Sequence, residues 1–146
     1  MKLPPSIVNE LLKKNIDEAD IVELLFDYFS LDKSLKPKVY RELVEILLSR
    51  SCELIEKGEY DEAANKIYKA TELLIRAIAL SKNLEEAKNA ESNGWTPMYT
   101  ERVAEKVGLS TILSSALNFY ERKPDKDELE SFVKNIKRVI TSCGNS

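Results

Sequence analysis

The chain has 146 residues, enough for one domain with a real core and too few for two comfortable ones. Its 22 basic and 25 acidic residues are interspersed and sum to −3, so no tail for nucleic acid or a membrane surface is evident and the bulk charge does not favour RNA. There is no histidine, which removes Ser–His–Asp and Cys–His nucleophiles, the usual zinc sites and the default general base near neutral pH.

Four glycines and five prolines argue against a turn-rich β fold and for helices with short loops. In chain order, residues 4–15 (PPSIVNELLKKN) predict a short helix with prolines at its start, where a missing N–H costs nothing. Residues 18–30 predict a second, with Ile21, Leu24, Leu25 and Tyr28 on one face. SLDKSLKP is a connector. From Pro37 to Lys57, Val39, Leu43, Ile46, Leu47, Leu54 and Ile55 recur at helical spacing. Gly58 stops that helix, and the next runs from Tyr60 to about Ser81.

Residues 83–96 (NLEEAKNAESNGWT) are polar and read as a loop with room for one helical turn. Thr96-Pro97 is a cap followed by proline at the first helical position. The helix from Pro97 meets Gly108, and Ser110 is placed to cap a further segment, 111–122; the sequence leaves a kink and a break equally open. In the last helix Asp125 and Glu128 fit a capping box, and Leu129, Phe132, Val133, Ile136, Ile140 and Cys143 form one apolar stripe. The acidic groups Asp17, Glu18 and Asp20, and Asp125, Asp127 and Glu128, stand at helix starts, so capping accounts for them better than cation binding.

The expected architecture is therefore all-α: an antiparallel, up-and-down bundle of about five to seven helices. It forms one domain over 1–146, with a helical extension, 1–36, packed on a bundle, 37–146. Cys52 and Cys143 are read as free thiols rather than a disulfide. The start of the chain shows no apolar stretch long enough for a signal peptide or a membrane span, so a cytoplasmic protein without membrane contact is expected.

GEYDEAANKIYKA, residues 58–70, resembles the middle of a tetratricopeptide repeat. Steps of about 34 residues from Gly58 land on Leu24 and Ser92, and neither place repeats the glycine–aromatic–alanine pattern. The motif is one helical hairpin in which alanines allow close approach. On a helical wheel of helix 60–81, Ala63, Ala64, Ile67, Ala70, Thr71, Leu74, Ile75 and Ile78 share a wide core face. Lys66, Lys69, Leu73, Arg76 and Leu80 fall in the opposite arc. Two leucines among three basic groups are snorkelling surface, an interface with a second copy or a partner, or a phosphate-binding patch. Lys66, Tyr68, Trp95, Tyr99 and Arg102 are the candidates for framing a pocket, against the plainer reading that Trp95 closes one end of the bundle.

The stretch GEYDEAANKIYKATELLIRAIA also resembles the archaeal PaREP family through Gly58, Ala63, Lys66, Tyr68, Ala70, Arg76 and Ala79, with Glu59 and Asn65 departing from its pattern. NGWTPMYTERVAEKV, with Trp95, resembles that family's later segment, and the likeness spans roughly 40–108. The resemblance implies a HEPN-like bundle, a fold that often dimerises and often serves in toxin–antitoxin pairs with nucleotidyltransferases. The HEPN ribonuclease site needs a histidine following an arginine, which this chain lacks.

The expectation that follows is a non-catalytic interaction or oligomerisation module, a homodimer with a protein partner of toxin–antitoxin type. No catalytic residue, metal ligand or cofactor is assigned, and the chain leans away from being an enzyme. Two alternatives stand beside it. One is a nucleic-acid-associated component using Lys134, Lys137 and Arg138 or the basic groups of helix 60–81. The other is a small-molecule binder or enzyme with a pocket near Trp95.

Overall fold

The computed structural model describes residues 2–14 and 16–144, with the side chains of 12 and 142–144 outside that description. The chain is all-α as expected, with eight α-helices and one 3-10 turn, Lys33–Leu35, among the described residues. It divides into two compact units, Met1–Ser34 and Leu35–Ser146.

The first unit holds α1 (Pro5–Lys13) and α2 (Glu18–Tyr28). Asp17 caps α2, its carboxylate accepting the Ala19 N–H at 2.8 Å. The helix stops where Ser30 takes a positive φ and the Leu31 N–H donates to the Phe26 carbonyl. Along α2 the buried side chain is Phe26, whereas Leu24, Leu25 and Tyr28 are exposed. The i, i+3, i+4 pattern of α2 thus does not mark its buried side.

The second unit begins with α3 (Lys36–Glu56), whose second residue is Pro37, and α4 (Tyr60–Ser81). The stop between them needs Gly58 at φ 77°: its N–H donates to Ile55, and the Glu59 N–H reaches back to Leu54 at 2.9 Å. This paired closure satisfies the last carbonyls of α3, and an L-residue would be strained there. The three-residue connection makes α3 and α4 an antiparallel hairpin, and Ala63, Ala64 and Ala70 are buried along it with Leu47, Leu54 and Ile67. Ile46, expected in the α3 stripe, is instead 61% exposed.

Residues 85–93, expected to be mostly loop, form α5 (Glu85–Asn93). Its charge hid it from a periodicity argument. Two alanines on one face, Ala87 and Ala90, are fully buried and dock it. With α5, and with a break at Gly108, the helix count exceeds the five to seven expected.

α6 (Pro97–Val107) is capped by Thr96, whose hydroxyl accepts the Tyr99 N–H at 3.3 Å. Gly108, again at φ 77°, ends it with the same paired closure onto Glu105 and Ala104. α7 (Ser110–Glu121) is therefore a separate helix, which settles the kink-or-break question as a break. α8 (Lys126–Gly144) starts where the Asp125 carboxylate accepts the Glu128 N–H at 2.8 Å, as the capping box predicts. Leu129, Phe132, Val133 and Ile136 are buried. Cys143, expected to close that stripe, lies outside the described side chains. Cys52 is a free, half-buried thiol.

α4 is the central helix of this unit and packs against α3, α5, α6, α7 and α8. Half of its residues are buried, and they spread over about two-thirds of the helix circumference rather than along one stripe. Each large apolar side chain so enclosed contributes about 1.5–3 kcal/mol. No described helix is long and apolar enough to cross a membrane.

Candidate functional site

The interface arc expected on α4 does not form a face. Leu73 is only 2% exposed, and Leu80, Lys66, Lys69 and Arg76 are half-buried. The physical reason is the central position of α4: its buried arc is wide enough to take in Leu73 and leaves the other four half-covered. Leu73 belongs to the core.

The pocket candidates also part company. Trp95 lies over α4 near Arg76, about two turns from Tyr68. Its indole N–H donates to Glu91 Oε2 at 3.0 Å, and the Arg76 guanidinium carbon sits 5.2 Å from the ring centre, a cation–π contact. The other carboxylate oxygen of Glu91 meets Lys36 Nζ at 3.2 Å. Lys36, Arg76 and Glu91 with Trp95 thus tie α3, α4, α5 and the segment before α6 together. This is a structural clasp, consistent with Trp95 closing one end of the bundle. Tyr99 is half-buried beyond it, and Arg102 is exposed.

Tyr68 instead faces a cleft between α4, α6 and α7 of about 530 Å3. The Thr96 cap and Pro97 fix the start of α6, and helical spacing then brings Thr100, Glu101 and Glu105 to the cleft. From α7 come Ser110, Leu113, Ser114 and Leu117. Lys66, Trp95, Tyr99 and Arg102 do not line it. Across its rim the Tyr68 ring stacks on Tyr120, centroids 5.5 Å apart and planes 27° apart.

The electrostatics of the cleft are one-signed. No basic side chain lines it, and Lys106, one helix position from Glu105, reaches Glu86 at 3.7 Å. Burial first, then the carboxylate of Glu72, that of Glu101, the Tyr120 phenol and the carboxylate of Glu121 hold the Tyr68 phenol above its ordinary 10.0. At neutral pH Tyr68 is thus an uncharged hydroxyl on a half-buried ring stacked against Tyr120, offering neither a base nor a nucleophile. Carboxylates, hydroxyl acceptors, an aromatic face and two leucines together suit a cation carried on an aliphatic stem. Among the described residues no group of three or more histidine, cysteine, aspartate or glutamate side chains is placed to hold a metal ion.

Tyr68 was within reach of sequence reasoning, but Glu101, Glu105, Ser110 and Ser114 were not. Their signal would have been the hydroxyl and carboxylate spacing on either side of Gly108, which becomes one site only because the helix breaks there.

Residues 39–140 match the model of the archaeal PaREP1/PaREP8 family. Comparison with the curated proteins gave no match, and comparison with the solved structures gave none.

Proposed function

The chain belongs to the archaeal PaREP1/PaREP8 family, and from that premise we propose that it is a non-catalytic interaction module whose α4/α6/α7 cleft receives a lysine or arginine side chain of a protein partner. The observation that carries this reading is the field at Tyr68: a stacked phenol beside a cleft lined by Glu101 and Glu105, with no lining cation. A basic side chain places its charge between those carboxylates and its methylenes on Leu113 and Leu117, while the Tyr68 face supplies a cation–π contact of about 0.5–2 kcal/mol.

The test uses short peptides of matched length, one bearing lysine and arginine and one bearing glutamate, titrated into the full chain and followed by calorimetry and by NMR. The basic peptide is expected to bind, to weaken as salt rises, and to lose binding in Glu101→Lys and Tyr68→Ala. Equal binding of the acidic peptide, or basic-peptide binding that survives both substitutions, rejects the cleft as the recognition site.

A further inference from the structure

α3 and α8 pack antiparallel. Leu48 and Ser49 lie beside Ile140 and Thr141, while Ile55 and Glu56 lie beside Val133 and Lys134. A furrow runs along the outside of this pair. One depression of about 450 Å3 and another of about 210 Å3 share Cys52 and Lys137. A third, about 580 Å3, extends over the outer side of α3 and shares Glu45 and Ser49 with the first. Its floor is apolar, made by the buried Leu48, Ile55 and Val133, and Ile46 stands 61% exposed on the α3 side.

The charges along the furrow are sorted by helix apart from Arg50 on α3 and Glu130 on α8, which also line it. The outer side of α3 carries Glu42, Glu45, Glu53 and Glu56, with Arg50 already engaged by Glu53 at 3.2 Å. The corresponding stretch of α8 carries Lys134, Lys137 and Arg138, all exposed. Among the described residues no ion pair joins any of these three cations to a carboxylate. An acidic strip and a basic strip therefore lie side by side, antiparallel, along one apolar seam.

Such a surface is complementary to itself. A two-fold rotation about an axis through the seam lays the basic strip of one copy on the acidic strip of the other, and every contact occurs twice, as an isologous interface requires. We propose that the α3/α8 furrow is the site at which a second copy of this chain docks, with Ile46 as its apolar anchor. The dimension fits. α3 has 21 residues and is about 31 Å long at about 1.5 Å per residue. Two adjacent helices are about 20 Å across, so the face offers roughly 600 Å2 in projection, comparable with the about 800 Å2 of accessible surface that each partner of a standard interface buries. The furrow does not involve Tyr68 or its cleft, so the inference stands apart from the peptide-binding proposal.

Charge exchange tests it directly on the full chain, with mass in solution read by sedimentation and light scattering and helix content checked by circular dichroism. The wild type is expected to be a dimer that loosens with salt. Lys134→Glu with Lys137→Glu sets acid against acid, and Glu53→Lys with Glu56→Lys, on the α3 carboxylates level with those lysines, sets base against base. Each is expected to weaken self-association by about tenfold or more. Mixing the two variants restores a dimer, because each reversed strip then meets its opposite, and the chain carrying all four changes pairs with itself. Should a reversal impair folding, Lys134→Gln with Lys137→Gln serves as the milder form and is expected to weaken association with helix content unchanged. Tyr68→Ala is expected to leave the dimer intact. A monomeric wild type at high micromolar concentration overturns the proposal, as does a dimer indifferent to the reversals or a mixture that fails to associate.

Discussion

At the scale of single residues, Tyr68 and Glu91 do different work among neighbours of opposite charge. Tyr68 is held protonated by burial and by the surrounding carboxylates, so its folded value lies above the unfolded one. For a group shifted upward, the contribution to stability is complete below pH 10.0 and is lost as pH rises through the folded value. Stability should accordingly fall on the alkaline side, and Tyr68→Phe should flatten that fall, as measured by denaturant titration across alkaline pH. A cation seated in the cleft favours phenolate and should move the tyrosine titration, followed by tyrosinate absorbance, back toward its ordinary position. Glu91 is bound on both oxygens, by Trp95 and by Lys36, whose side chain is 7% exposed. Glu91→Ala strips both donors of this acceptor and should cost about 1.5–3 kcal/mol in denaturant unfolding. Trp95→Phe should cost less, because only the indole donor is lost.

Among the elements, the two glycine stops define where helices end. Neither Gly58 nor Gly108 has another atom within 4 Å of an added Cβ, yet both sit at φ 77°. Gly58→Ala and Gly108→Ala should therefore each cost about 1–2 kcal/mol through the backbone alone, with the denaturant slope unchanged. Loss of much more than this would mean that the turns move. These stops were also the most legible features of the sequence: Gly58 with Tyr60 places the start of α4, and Asp125 with Glu128 places α8. α5 escaped because its polar residues outnumber the two alanines that dock it, and small buried residues carry little hydrophobic signal. The arc containing Leu73 was misjudged for a related reason. The wheel put Leu73 on the wet side, but the buried arc of α4 is wide enough to include it. The cleft was half legible: Tyr68 was marked, while its companions come from two helices whose junction at Gly108 the sequence left open between kink and break.

Across the molecule, burial and exposure divide the apolar residues into those that hold the fold and those available for contact. Ile75, wholly enclosed on α4, and Ile46, largely exposed on α3, are the same residue in opposite settings. Ile75→Ala should destabilise by about 2–5 kcal/mol in urea unfolding. Ile46→Ala should stay within about 0.5 kcal/mol, while weakening self-association in sedimentation.

The order in which such a chain closes follows from the same layout. α3 and α4 are neighbours in sequence joined by three residues, so their hairpin closes with little loop entropy to overcome, and local pairs of this kind form early. α8 meets α3 across a long stretch of intervening chain, so the α3/α8 seam is expected to close late in folding. A chain still in progress shows the acidic strip without its basic counterpart. Under the docking proposed above, two such chains would repel rather than entangle, and self-association would wait until each copy has finished folding.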